Sequence, residues 1–399
     1  MPKKLVVICL INFLIAALMG LALRFSFLQS IGLNYRFLTH AHSHVAMLGW
    51  VYLMLFTLFV HYFIPDQPKR FTRLFWVTEF AVVGMMISFP LQGYAAISIS
   101  FSTLHIFCSY YFMYLIWKYQ KVNSRVSQKL LKTALIFMVV STIGVWCLGP
   151  VISILGSDSA FYNIAIQFFL HFQFNGWFLI GVIAIFFHLL RVEDSKIFRQ
   201  FYVLLILSTI LTFALPIQWF LPHKSLLWIN GVGIILQVVT LYLCFQILKS
   251  KQLILIKNEN TLVLYMYGFA LVCFLLKVVF QTLSVLPQFS EVVFNHHNFV
   301  IGFIHLLMLG VISGFLFAFI LKSELVTNSK SLTIGLYSFV LGFLLTEILL
   351  LIQGVMFYFQ TGILSNYYLL LCLFSILLPL GISFILFNIV RKIRQYRDL

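Results

Sequence analysis

Twelve apolar stretches dominate this chain. Each runs for roughly 20 residues or more, enough to cross about 30 Å of hydrocarbon, and together they take up nearly all of the 399 residues. They fall at 5–28, 38–63, 71–92, 94–118, 132–155, 160–190, 199–221, 225–249, 262–285, 293–321, 331–358 and 366–390. A chain so built has few options, because every backbone polar group in hydrocarbon must be satisfied internally. The expected fold is all-α, a polytopic membrane bundle of about twelve transmembrane helices. Only 9% of the residues are charged and 62% are hydrophobic, against about 25% charged in soluble domains. Soluble enzymes, DNA-binding modules and disordered scaffolds are excluded together.

The net charge of +16 would hint at nucleic acid in a soluble protein, but here the basic residues lie between apolar spans. No nucleic-acid partner is expected, only membrane lipid. If the N-terminus is cytoplasmic, all but four of the lysines and arginines fall in the cytoplasmic connections. The exceptions are Arg24, Arg36 and Lys224 on the other side and Lys277 inside a span. The positive-inside rule then puts both termini in the cytoplasm, of a bacterial inner membrane. The opening MPKKLVVICL reaches Arg24 without a small-residue cleavage site and is read as a helix, not a signal peptide. There is no long soluble insert, no linker and no clear repeat, so residues 1–399 read as a single integral membrane domain. The six cysteines form no C-x-x-C pair and no haem-attachment motif, and read as small core residues.

The histidines carry the functional information, because an ionisable side chain in a membrane helix needs a partner or a role. Of the eleven, His40, His42 and His44 enter span 2, His171 lies in span 6, His223 ends span 7, and His296, His297 and His305 enter span 10. All eight fall toward the outer side, with His105 in span 4 a ninth candidate; His61 and His188 lie near the inner ends. A lone histidine in such a protein is ordinarily hydrogen-bonded to a carbonyl or a neighbouring helix. Eight at one depth point instead to haem iron, copper or zinc, for which imidazole is a common ligand. At 100° per residue His40 and His44 share a face and His42 points away from both; Phe303 and His305 are likewise on opposite faces. His297 lies some 12 Å along the axis from His305, too far to share one metal ion.

Four passages resemble the haem-copper oxidase subunit I family, and within it the cbb-type oxidases: HSHVAMLGW from His42, HFQFNGWFLIGVIAIFF from His171, LPHKSL around His223, and IGFIHLLMLG around His305. The resemblance implies a low-spin haem b with His42 and His305 as axial ligands, and copper held by His171 and His223. It also implies a redox partner such as cytochrome c or quinol, and partner subunits. Three departures imply a degraded binuclear centre. Phe303 replaces the high-spin haem ligand, Lys224 replaces the second histidine of the copper pair, and Asn175 stands where a tyrosine is expected. A second resemblance, to the NnrS-type haem- and copper-containing membrane proteins linked to nitric oxide stress, rests on HSHVAMLGW and HLLMLGVISGFLFAFI. It makes His44 a ligand candidate as well.

Two imidazoles saturate a haem iron and fix it as a one-electron centre. Gly49, Gly176, Gly302 and Gly310 would let helices approach a macrocycle or each other. Arg36, Trp50, Trp177 and Lys277 are candidates for the propionates. Glu79, Lys277 and Glu347, the charges inside spans, fit a buried ion pair or snorkelling better than a proton path. The function expected is electron transfer or chemistry on a diatomic gas, dioxygen or nitric oxide. The enzyme class, if any, is an oxidoreductase resembling cytochrome oxidase or nitric oxide reductase. The alternatives are an NnrS-like nitric oxide stress protein, a cofactor-free assembly or sensor subunit, and a proton-coupled transporter without haem, in which Lys277, Glu79 and Glu347 bind substrate.

Overall fold

The computed structural model describes residues 3–66, 68–252, 256, 259–323, 325–326 and 329–395. Lys257 and Arg397, counted above with the basic connections, lie outside the described residues. Among the described residues there is no strand, and twelve helices are long and apolar enough to cross a membrane. The chain is an all-α polytopic membrane bundle. Its spans are Lys3–Phe25, Tyr35–Phe63, Lys69–Gln92, Ala96–Tyr119, Arg125–Leu155, Ala160–Leu189, Lys196–Phe220, Lys224–Ser250, Thr261–Leu283, His297–Lys322, Lys330–Tyr358 and Tyr367–Lys392, numbered 1 to 12 below.

Span ends follow capping rather than hydropathy. Asn34, Ser124, Ser159, Ser195, Asn260 and Ser329 each accept a backbone N–H of the first turn, which satisfies one of the donors a helix start leaves open. Span 5 therefore begins at Arg125, not at 132: its first two turns carry Lys129 and Lys132 and look polar, yet Ser124 starts the helix before them. Span 10 begins at His297, not 293, because a separate short helix, Pro287–Asn295, precedes it.

Spans 2, 6 and 10 stand apart. Their central windows are 83%, 78% and 83% buried, against at most 56% for any other span. Each also turns π-helical directly after a histidine: Val45–Tyr52 follows His44, Phe172–Phe178 follows His171, and Leu306–Ile312 follows His305. Each of these histidines precedes a glycine by five residues, Gly49, Gly176 and Gly310. This H-x4-G unit recurs every four spans, an internal repeat hidden by the hydrophobic background. π-Helical turns are rare and concentrate at functional sites.

The chain forms two compact units, Met1–Lys121 with Leu316–Leu399, and Val122–Phe315. In the first, span 1 lies along the π-helical part of span 2, where Phe13 stacks on Trp50 at 4.5 Å. Spans 3 and 4 form a hairpin whose corner needs Gly93, at φ +62°, and is closed by Ser98 donating to the Gly93 carbonyl. Spans 11 and 12 cross at Gly335, Gly342 and Gly381, where a Cβ would meet the facing helix at 2.6–2.8 Å; small residues allow such close crossings.

In the second unit, Gly144 of span 5 lies against the Ala165 carbonyl of span 6, and Gly233 of span 8 against Leu211 and Thr212 of span 7. Gly314 of span 10 lies against Ala270 of span 9. Span 7 is interrupted at Thr212 and Phe213, just before Pro216. Proline has no N–H to give the Thr212 carbonyl, and Phe213 donates to Ile210 instead of Thr209. The Thr209 carbonyl is left without its helical donor.

Candidate functional site

In the first unit, span 2 sends its histidines to two places, as the helical geometry requires. His40 and His44 face the hairpin of spans 3 and 4, with ring centroids 4.6 and 5.8 Å from that of Tyr94; His44 also packs 4.4 Å from Phe89. His44 Nδ1 is 2.8 Å from the His40 carbonyl and Nε2 is 3.5 Å from the Tyr94 hydroxyl. His42 turns the other way, onto span 1. Its Nδ1 lies 2.8 Å from the Ala16 carbonyl; a carbonyl only accepts, so Nδ1 carries the proton and Nε2 the lone pair. The ring fits there because residue 20 is glycine, whose Cβ position would be 2.9 Å from His42 Cε1.

A second polar group in this unit joins spans 1, 2 and 3. Asn12 Nδ2 donates to Glu79 Oε2 at 2.8 Å and to the Gly49 carbonyl, on the π-helical stretch, at 3.2 Å. Both side chains are buried. His105 of span 4 is 3% exposed, edge-on to Tyr52 at 4.5 Å, and its Nε2 has no hydrogen-bond partner among the described residues. Arg24 donates to Ser375 of span 12 and lies within electrostatic reach of Glu347, so Glu347 has a cation to balance it. Arg36 is exposed in the first turn of span 2.

In the second unit, His171 is buried and its Nε2 donates to the Thr209 carbonyl at 2.8 Å, the one released by the break in span 7. His223, exposed, is the N-cap of span 8: its Nδ1 accepts the Ser225 N–H and lies 2.6 Å from the Ser225 hydroxyl. Its lone pair is therefore spent on the cap. Among the described residues no three histidine, cysteine or carboxylate side chains gather where a metal ion could be held. His171, with Nε2 donating, carries its lone pair on Nδ1. His296 caps the short helix before span 10, and His297 is exposed beside it. His305, partly buried, ends the α-helical part of span 10. Lys224 is exposed and Trp177 fully buried. At the basic end His188 Nδ1 meets the Ser127 hydroxyl at 3.2 Å.

Lys277 and Asn230 are the fully buried side chains in this unit, Trp177 aside, with buried polar atoms that make no hydrogen bond among the described residues; Asn175 Oδ1, Gln237 Oε1 and Gln281 Oε1, on less buried side chains, are in the same position. Lys277 is 0% exposed and its Nζ has no hydrogen-bond partner among the described residues; the same holds for both amide atoms of Asn230. Asn230 was not singled out from the sequence, nor was Asn12. The signal was present in both: each is the lone amide in an otherwise apolar run, LVVICLINFLIAAL and SLLWINGVGIIL. Compared with known proteins, the chain matches no family model and no curated protein.

Proposed function

We propose that this is a membrane haem protein of electron transfer, in which His42 and His305 are the axial ligands of a low-spin haem b. The observation that carries the reading is the pinning of His42. A ring whose Nδ1–H is held by a backbone carbonyl has its tautomer and orientation fixed, with the lone pair on Nε2, the arrangement ligating histidines use. The H-x4-G repeat, with a π-helical turn after His44, His171 and His305, supports it as the kind of local distortion associated with sites. A haem so ligated supplies a one-electron couple and leaves the iron no open position. His44 is engaged by His40 and Tyr94 on the hairpin side. Copper is not part of this proposal. The proposed setting is a bacterial inner membrane with cytoplasmic termini, where a small redox protein or quinol would be the partner.

The test is a visible spectrum of the detergent-purified protein. Reduction is expected to give the sharp α and β bands of low-spin haem; a protein without them, after expression with adequate haem, overturns the reading. A second reading, a proton-coupled transporter, is favoured by one observation: Glu79 is a buried carboxyl inside a span that accepts from Asn12, and such residues mark ion and proton pathways.

A further inference from the structure

Lys277 poses a problem that its own unit does not solve. Burying an unbalanced ammonium is costly, and buried charges are ordinarily paired. The acids of residues 122–315 are Asp158, Glu193, Asp194, Glu259 and Glu291, and all lie in connections or in the short helix before span 10. None is inside a span. His171, within electrostatic reach of Lys277, is a neutral donor to Thr209 and brings no negative charge. Yet Lys277 is no stray: it continues the inward stripe of Tyr267, Ala270, Cys273 and Phe274 along span 9. Asn230 sits six residues from the start of span 8 and Lys277 six from the end of span 9, so both lie about 9 Å in from the same end of two packed helices. Buried polar atoms left unsatisfied call for a missing partner. An anion would supply oxygens for the Lys277 ammonium and the Asn230 amide N–H.

Span 9 also packs against the π-helical stretch that follows His305. Gly314 touches Ala270 at that crossing. From it His305 lies nine residues along span 10 and Lys277 seven residues along span 9, both toward the same end, or about 13 and 10 Å at 1.5 Å per residue. The ammonium is thus carried at nearly the depth of His305.

We propose that Lys277, assisted by the Asn230 amide, binds the propionate carboxylates of the haem ligated at His305. The assignment rests on the haem reading above and adds the group that recognises the porphyrin's anionic edge. It also gives a lysine inside a span, without an acid of its own, an anionic partner.

The experiment titrates haem-free protein in lipid nanodiscs with ferric haem b and with its dimethyl ester, which has the same ring and iron but no carboxylates. Binding is read from the reduced low-spin bands. Wild type is expected to bind haem b about tenfold or more tightly than the ester, the size of one charge-assisted hydrogen bond. Lys277→Met should lose that preference while keeping the band positions, Lys277→Arg should keep it, and Asn230→Leu should reduce it. Equal binding of the two porphyrins by wild type, or an unchanged preference in Lys277→Met, overturns the assignment. If neither porphyrin gives low-spin bands with wild type, the haem reading itself fails and this assignment with it. The wild-type comparison needs no variant, so misfolding of Lys277→Met cannot hide the answer.

Discussion

His42 and His171 begin from similar sequence, a histidine in an apolar span shortly before a glycine and a tryptophan, and end in different hydrogen bonds. His42 donates from Nδ1 to Ala16 of span 1, a helix that is regular at that point and makes room only by having Gly20. His171 donates from Nε2 to Thr209, whose carbonyl is open because span 7 breaks before Pro216. One ring is held by a helix that has no need of it; the other repairs a helix that does. The difference teaches that a membrane histidine is judged by what it satisfies. Where it closes a backbone deficit, structure explains it; where it is pinned at a helix without one, the haem proposal gives its second nitrogen a use.

The largest expected effect separates the two outright. His42→Ala should abolish the reduced low-spin bands, and His171→Ala should leave their positions and intensity per protein unchanged. Bands that survive His42→Ala, or vanish in His171→Ala, reverse the assignment. Next, Gly20→Ala places a methyl 2.9 Å from His42 Cε1, so the ring must shift. Overpacking of this kind costs about 1–3 kcal/mol, and the expected reading is a haem affinity lowered by about tenfold, measured by titration. An affinity equal to wild type would mean that the ring's seat on span 1 does not matter. Third, His171→Ala should lower stability by about 0.6–1.7 kcal/mol, the range of a side-chain hydrogen bond between membrane helices. His171→Gln, which keeps a donor, should recover part of this in a detergent unfolding assay.

The same contrast shows what could be read in the sequence. Spans were legible because hydrocarbon demands long apolar runs, and the opposite faces of His40 and His42 followed from 100° per residue. Span 5 began early because a cap at Ser124, not hydropathy, starts a helix. The π-helical turns were illegible: an i to i−5 bond is set by how spans pack, and Val45–Tyr52 has no composition that announces it. The H-x4-G repeat becomes visible only once those turns mark where to align. Pro216 did stand in the sequence, but nothing there says that His171 lies beside the carbonyl its neighbourhood releases. The partners of Asn12 and Asn230 are likewise matters of which spans meet.

The smallest effect lies outside the membrane and gives the interior histidines a control. In the connection between spans 6 and 7, Arg199 donates to Asp194 at 2.9 Å and holds its carboxyl below the usual carboxylate range. A carboxyl depressed in the folded state contributes stability that is fully present above its unfolded value, about 3.9, and is lost as pH falls through the folded value. Arg199 is exposed and Asp194 half-buried at the surface, so the contribution is small and screened by salt. Asp194→Asn should therefore lower the melting temperature slightly at pH 7 in low salt and not at all near pH 2, with the haem bands unmoved throughout. The histidine variants should differ in kind: removing His171 or crowding His42 breaks contacts shielded from ions, and those losses should not fade with added salt. A salt-sensitive His171→Ala deficit would place that ring in water and undo the distinction between repair of a buried helix and surface charge.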